Sequence, residues 1–157
     1  MMIRQLRENE RELLKDFLYE AIFVPEGVSA PERSIVDKPE LAVYHEGFGS
    51  RACDNCLIAE TDGKAVGAVW SRIMNDYGHI DDLTPSLAIS LKREFRGKGI
   101  GTALMKEMLQ LLRKQGYEKV SLSVQKVNRA VKMYERLGFK VIRESGEEYL
   151  MIRELQS

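Results

Sequence analysis

The chain has 157 residues, enough for one domain with its own core, and its 24 basic and 24 acidic side chains cancel. That balance argues against general binding to nucleic acid or to a membrane surface. Its apolar runs are too short to span a bilayer, and the opening Met-Met-Ile-Arg-Gln-Leu-Arg-Glu lacks the apolar core of a signal peptide. The expectation is a single cytoplasmic domain over residues 1–157.

Residues 2–6 suit a short first strand. Asn9 then opens a helix over about 10–22, in which Leu13, Leu14, Phe17, Leu18, Ala21 and Ile22 recur at helical spacing. Pro25 and Gly27 end it. An irregular piece from Phe23 to Ser34 leads into a weaker helix within 32–46, stopped by Gly47 and Gly49. Long irregular segments often carry binding function, which makes this one a candidate substrate cover; a plain surface connection explains it equally well.

Cys53 and Cys56 form one Cys-Asp-Asn-Cys. A zinc site needs two more ligands, and the histidines, His45 and His79, sit in separate segments. A redox pair belongs at a helix start after a strand, whereas this pair precedes an apparent strand. The two read as ordinary thiols, and no metal is expected.

From Leu57 the period becomes two. Leu57 to Thr61, an Asp62-Gly63 turn and Lys64 to Ser71 spell a hairpin. A polar stretch from Asn75 to Pro85 precedes another strand, Leu87 to Leu91. A helix over about 100–115 carries Ile100, Ala103, Leu104, Met108, Leu111 and Leu112 on one side, and Gly116 stops it. Val120 to Val124 alternates as a strand, a short helix covers about 129–136, and two strands follow around Ser145-Gly146. The order β-α-α-β-β-β-α-β-α-β-β implies a mixed sheet with helices packed on it.

Between the Leu87–Leu91 strand and the long helix lies a basic turn with three glycines, Gly97, Gly99 and Gly101. A helix start offers unpaired N–H groups and the positive end of the helix dipole, which suits a phosphate. Glycines let the backbone approach a ligand closely. The turn lacks the Gly-Lys-Ser/Thr ending of a Walker loop. Read from Gly99 as a dinucleotide fingerprint, it has Leu104 where a third glycine or alanine belongs, and it follows several strands instead of opening a βαβ unit.

Arg96-Gly-Lys-Gly99-Ile-Gly101 has the form Arg/Gln-x-x-Gly-x-Gly/Ala, and downstream come Asn128-Arg-Ala130, Tyr134 and Leu137-Gly-Phe139. This pair of motifs resembles the GNAT superfamily of N-acetyltransferases, and the resemblance covers essentially the whole chain. It implies an α/β fold with a central mixed, mostly antiparallel sheet of six to seven strands. Helices would lie on both faces, and the sheet would splay between its fourth and fifth strands. It implies acetyl-CoA as co-substrate, with its pyrophosphate on the backbone N–H groups of Gly97, Lys98, Gly99, Ile100, Gly101 and Thr102. Arg96 belongs to the same motif, and Lys92, Arg93 and Lys98 add positive charge that a solvated basic loop would also show. The pantetheine arm would pair with the backbone of Ile89, Ser90 and Leu91, and N–H groups near Leu91 would stabilise the oxyanion. Asn128 would contact the cofactor and Tyr134 would protonate the departing thiolate. On the residues alone, Asn128 equally suits a helix cap and Tyr134 a core aromatic. Asn128 stands two residues before Ala130, where three is the commoner spacing, and the Val120–Val124 strand holds no carboxylate.

The acceptor is an unnamed amine on a small molecule or a peptide. Its proton would go to Glu26, Glu46, His79, Asp81 or Asp82, or through water to solvent. Phe23, Tyr44, Phe48 and Tyr77 are candidate linings of the acceptor pocket. A non-catalytic acyl-CoA sensor, transfer of another acyl group, and a homodimer all remain open.

Overall fold

The structure, a computed structural model, describes residues 1–22, 24 and 26–156. Phe23, a candidate pocket aromatic, and Pro25, a candidate helix stop, lie outside the described residues. The described residues form seven strands: β1 (Met2–Gln5), β2 (Asn55–Thr61), β3 (Lys64–Arg72), β4 (Ser86–Leu91), β5 (Lys119–Gln125), β6 (Lys140–Ser145) and β7 (Glu148–Glu154). They form one sheet in the order β1-β2-β3-β4-β5-β7-β6. Every neighbouring pair is antiparallel except β4 and β5. The expected mixed, mostly antiparallel sheet is therefore present, and its parallel pair, β4 and β5, is the pair expected to splay. Among the described residues, no helix is long and apolar enough to cross a membrane.

Alternation along the strands divides the core in two. Leu57, Val69, Leu87 and Val120 pack against one face, with α3 (Ile100–Lys114) and α4 (Ala130–Arg136). Ile58, Ala68 and Trp70 pack against the other, with α1 (Glu12–Ala21) and the segment that follows it. Both long helices follow their sequence stripes. In α1, Leu14, Phe17 and Leu18 are buried; in α3, Ile100, Leu104, Met108 and Leu112 are.

The weaker helix expected within 32–46 is instead a 3-10 turn, Arg33–Asp37, and then a single turn, α2 (Pro39–Ala42). Pro39 explains the break. It has no N–H to continue a ladder, and it forces Lys38 into extended backbone, with ψ at 147°.

Two glycines allow α3 to sit close against β4. A Cβ on Gly67 would stand 2.3 Å from Leu91 Cδ2, and one on Gly101 would stand 3.4 Å from Leu91 Cδ1. The Leu91 side chain is thus wedged between β3 and the first turn of α3, which fixes the glycine loop relative to the sheet.

Candidate active site

From the end of β4 the chain makes a 3-10 turn, Arg93–Phe95, and reaches α3 through Arg96 to Gly99. Gly97 and Gly99 have φ of +75° and +84°, a region L side chains rarely enter, and among the described residues nothing lies within 4 Å of where their Cβ atoms would be. The loop therefore has an open front. The first bond of α3 runs from Ala103 N–H to the Gly99 carbonyl at 3.1 Å, so the N–H groups of Ile100, Gly101 and Thr102 are left over. Gly99 offers no side-chain cap, and the first turn holds no acidic residue. These are the donors and the charge that a phosphate group needs.

Arg96 has a structural task as well. Its Nε donates to the Leu91 carbonyl at 3.1 Å and one terminal nitrogen donates to the Glu20 carbonyl at 3.4 Å, tying the loop to β4 and α1. The Lys98 ammonium lies 5.5 Å over the Phe95 ring. Lys92, Arg93, Arg96 and Lys98 are all exposed, so their charge acts on whatever approaches the loop.

Beside this loop the sheet opens. β4 and β5 pair only at Ser86 and Ser121 and then separate. Lys92 N–H donates to the Val66 carbonyl, and the β3–β4 register pairs Ser90 with Ala68 and Leu91 with Gly67. Antiparallel alternation then turns the backbone of Ser90 towards β3 and the N–H and C=O of Ile89 and Leu91 towards the opening. Two of the three expected residues thus present backbone groups there. The Leu91 carbonyl is taken by Arg96, which leaves its N–H.

A cleft of about 310 Å³ fills the opening. Ile89 and Leu122 line it from the parted strands, and Tyr134 and Asn128 from α4 and its approach. Tyr134 is 7% exposed and meets Phe139 edge-on at 5.8 Å. Burial pushes its phenol up, so it holds its proton at neutral pH. Asn128 is a cap and a cleft residue together: its Oδ1 accepts from Ala130 N–H at 2.9 Å while the residue lines the cleft.

Of the expected pocket aromatics, Tyr44 and Tyr77 line the cleft. Phe48 does not; it packs under the Arg72 guanidinium, 5.5 Å from its ring centre. None of Glu26, Glu46, His79, Asp81 or Asp82 lines the cleft. Asp81 is held by Leu83 N–H at 2.9 Å and lies 3.9 Å from Lys119, at the end of β5 where the strands are still paired. The Asp82 side chain is 96% exposed, and His79 faces it at 3.7 Å.

Two other carboxylates sit here instead. Glu148 lines the cleft from the first position of β7. Asp76 lies behind Tyr44 and accepts from Ser86 Oγ at 2.9 Å. Burial raises the Asp76 carboxyl from its ordinary value, an effect the Ser86 and Tyr44 hydroxyls partly oppose. Neither stands out in sequence, Asp76 being one acid in a polar loop and Glu148 one of two beside a hairpin turn.

A second cleft, of about 290 Å³, lies at the β1–β2 end beside Arg7, Arg11 and Phe48, away from Tyr134 and the glycine loop. Cys53 and Cys56 are buried and free, and burial pushes the Cys56 thiol up, which makes it a poor nucleophile.

Residues 16–139 match the model of the acetyltransferase (GNAT) family. N-acetyltransferase 8B of Homo sapiens is 34% identical over 102 residues, which are 64% of this chain and 44% of that protein. N-acetyltransferase 8 of Mus musculus is 34% identical over 118 residues, 74% of this chain and 47% of that protein. The chain thus spans less than half the length of these relatives. Among solved structures, the PaiA N-acetyltransferase of Thermoplasma acidophilum in complex with coenzyme A shares the fold. Its TM-score is 0.72 at 23% identity, over 98% of each chain. YncA, a putative acetyltransferase from Salmonella typhimurium with its cofactor acetyl-CoA, gives 0.72 at 17% identity, over 100% of this chain and 95% of that one.

Proposed function

This chain belongs to the acetyltransferase (GNAT) family, and on that premise we propose that residues 1–157 form one N-acetyltransferase domain, moving an acetyl group from acetyl-CoA to an amine by direct attack in a ternary complex. The observation that carries this reading is the parting of β4 from β5 immediately beside a buried Tyr134. The backbone of Ile89 and a proton donor then meet in one cleft, and the strand that lines it leads directly into a phosphate-ready helix start.

Acetyl-CoA brings an activated thioester to this site. The N–H groups of Gly97 to Thr102 hold its pyrophosphate, with Arg96 supplying charge and bracing the loop. Leu91, next to the loop, and Ile89, farther along β4 in the cleft with Tyr134, pair with the pantetheine arm as an added strand would, and N–H groups of this stretch serve the oxyanion. Asn128 fixes the arm from the α4 side, and Tyr134 passes its proton to the leaving sulfur. The acceptor sheds one proton through water to solvent before it attacks and a second afterwards, which restores Tyr134. The balanced charge fits a cytoplasmic enzyme taking small-molecule or peptide amines in preference to nucleic acid.

The reading is tested by coenzyme A release across a panel of amines, polyamines and peptide N-termini. Binding of acetyl-CoA with no release on any acceptor would favour a sensing module instead. The loop has its own test. Gly99→Ala places a side chain at a φ of +84°, which costs about 1–2 kcal/mol. Its acetyl-CoA affinity, read by calorimetry, is expected to fall by about 5- to 30-fold as the loop relaxes out of shape. Unchanged affinity would separate the loop's conformation from donor binding.

A further inference from the structure

If the cleft performs acetyl transfer, the arm of it lying on the α1 face of the sheet describes the acceptor. Leu18 and Ile22 form one wall, continued by Ile35 and Leu41 from the segment after α1. Tyr44, Tyr77 and Glu148 supply the polar side. Among the described residues that line the cleft, Glu148 is the one charged side chain, and none is a lysine, arginine or histidine. Glu148 is only lightly engaged, accepting from Gln125 Nε2 at 3.4 Å. Asp76 accepts from Ser86 Oγ behind Tyr44, so this end of the cleft is rich in acceptors and carries the Glu148 charge, while the glycine loop is positive.

We propose that the acceptor is a small primary amine carried as an ammonium on an apolar body without a carboxylate, with Glu148 and Tyr44 receiving the ammonium and the α1 wall receiving the body. This rests on the transfer reading above and adds a substrate class to it.

An ammonium leaving water needs an opposite charge or a hydrogen-bond acceptor, and Glu148 offers both. Tyr44 and Tyr77 line the same end, and aromatic rings are favourable neighbours for a cation. A free amino acid would bring its own carboxylate beside Glu148 with no cationic side chain to meet it, which is the arrangement that rejects a ligand. Polar amines such as aminoglycosides would bury hydroxyls against aliphatic side chains that cannot pair with them. The cleft of about 310 Å³ holds the reacting end of the cofactor as well as the acceptor, and the room left favours a compact molecule.

Phenethylamine and phenylalanine differ by one carboxylate and give the test. Each is titrated calorimetrically into the protein saturated with coenzyme A. Phenethylamine is expected to bind at least about tenfold more tightly than phenylalanine. Glu148→Gln is expected to weaken phenethylamine by about tenfold and to leave coenzyme A affinity within about twofold. Equal or tighter binding of phenylalanine, no binding of phenethylamine, or an unchanged affinity in Glu148→Gln would each overturn the proposal. The assay reads binding without turnover, so the two readings fail separately. A protein that binds phenethylamine but acetylates no amine loses the transfer reading and keeps the acceptor class. A protein that acetylates only anionic or polyhydroxylated amines keeps transfer and loses the class.

Discussion

Tyr134→Phe is expected to lower kcat by about 10²–10³-fold, with acetyl-CoA affinity changed by no more than about twofold. The phenol is the proton donor that α4 brings to the cleft, and its burial leaves bulk water poorly placed to replace it. The effect should not reach the upper end of what a lost general acid costs, because a thiolate, with an ordinary pKa near ~8.5, is a tolerable leaving group. Phenylalanine keeps the ring and its edge-on contact with Phe139, so thermal stability should hold and a lost rate cannot be blamed on unfolding. The pH behaviour follows from the sign of the shift. Burial raises the phenol above its ordinary value of about 10, so the acid is lost only as pH climbs through that raised value. Wild-type kcat should therefore show no alkaline limb from Tyr134 below about pH 10. Single-turnover rates on a productive amine check this, and an undiminished rate in Tyr134→Phe would remove the residue from the chemistry.

What the sequence made legible, and what it did not, divides along local and distant contacts. The Arg96–Gly101 turn could be read because its chemistry is local: the glycines occupy left-handed backbone just before an uncapped helix. The stripes of α1 and α3 and the alternation of β2 and β3 were legible for the same reason. The broken helix at Pro39 was a local signal outweighed by the apolar residues around it. Asp76 and Glu148 were not legible. Residues 44, 76 and 148 meet only because the sheet places β4 beside β5 and β5 beside β7, and nothing in their neighbours marks them. The bases weighed from sequence, His79 with Asp81 and Asp82, had proximity along the chain, but their loop is held at the paired end of β5 by Lys119. The parting of β4 from β5 came from the family resemblance, since a strand that parts from its neighbour has the same apolar side chains as one that does not.

Asp54→Ala is the substitution expected to cost the most stability. The Asp54 side chain is fully buried and that of Arg72 is 1% exposed. The guanidinium meets the carboxylate through two bonds, at 3.1 and 3.3 Å, donates a third to the Val43 carbonyl at 3.0 Å, and lies over Phe48. Asp54 in turn accepts from the N–H groups of Gly49 and Arg51. Removing the carboxylate strands a guanidinium out of water and frees both N–H groups, a loss of about 3–5 kcal/mol. For a chain of this size that is a fall in Tm of roughly 6–20 °C. The desolvation argument is checked by a second variant. Replacing both partners with apolar residues, as in Asp54→Leu with Arg72→Met, should recover part of the loss, because no charge then remains buried. A double variant as unstable as Asp54→Ala would mean that the bonds to the loop backbone, and not the stranded charge, hold this corner. The consequence for function follows from what the pair anchors. Arg72 ties β3 to the segment that carries Tyr44, one wall of the acceptor arm, while the glycine loop hangs from β4 and α1. Below its melting range, Asp54→Ala should therefore raise KM for the amine and leave acetyl-CoA binding near the wild-type value. Equal losses for both substrates would show that the two arms of the cleft are not independently held.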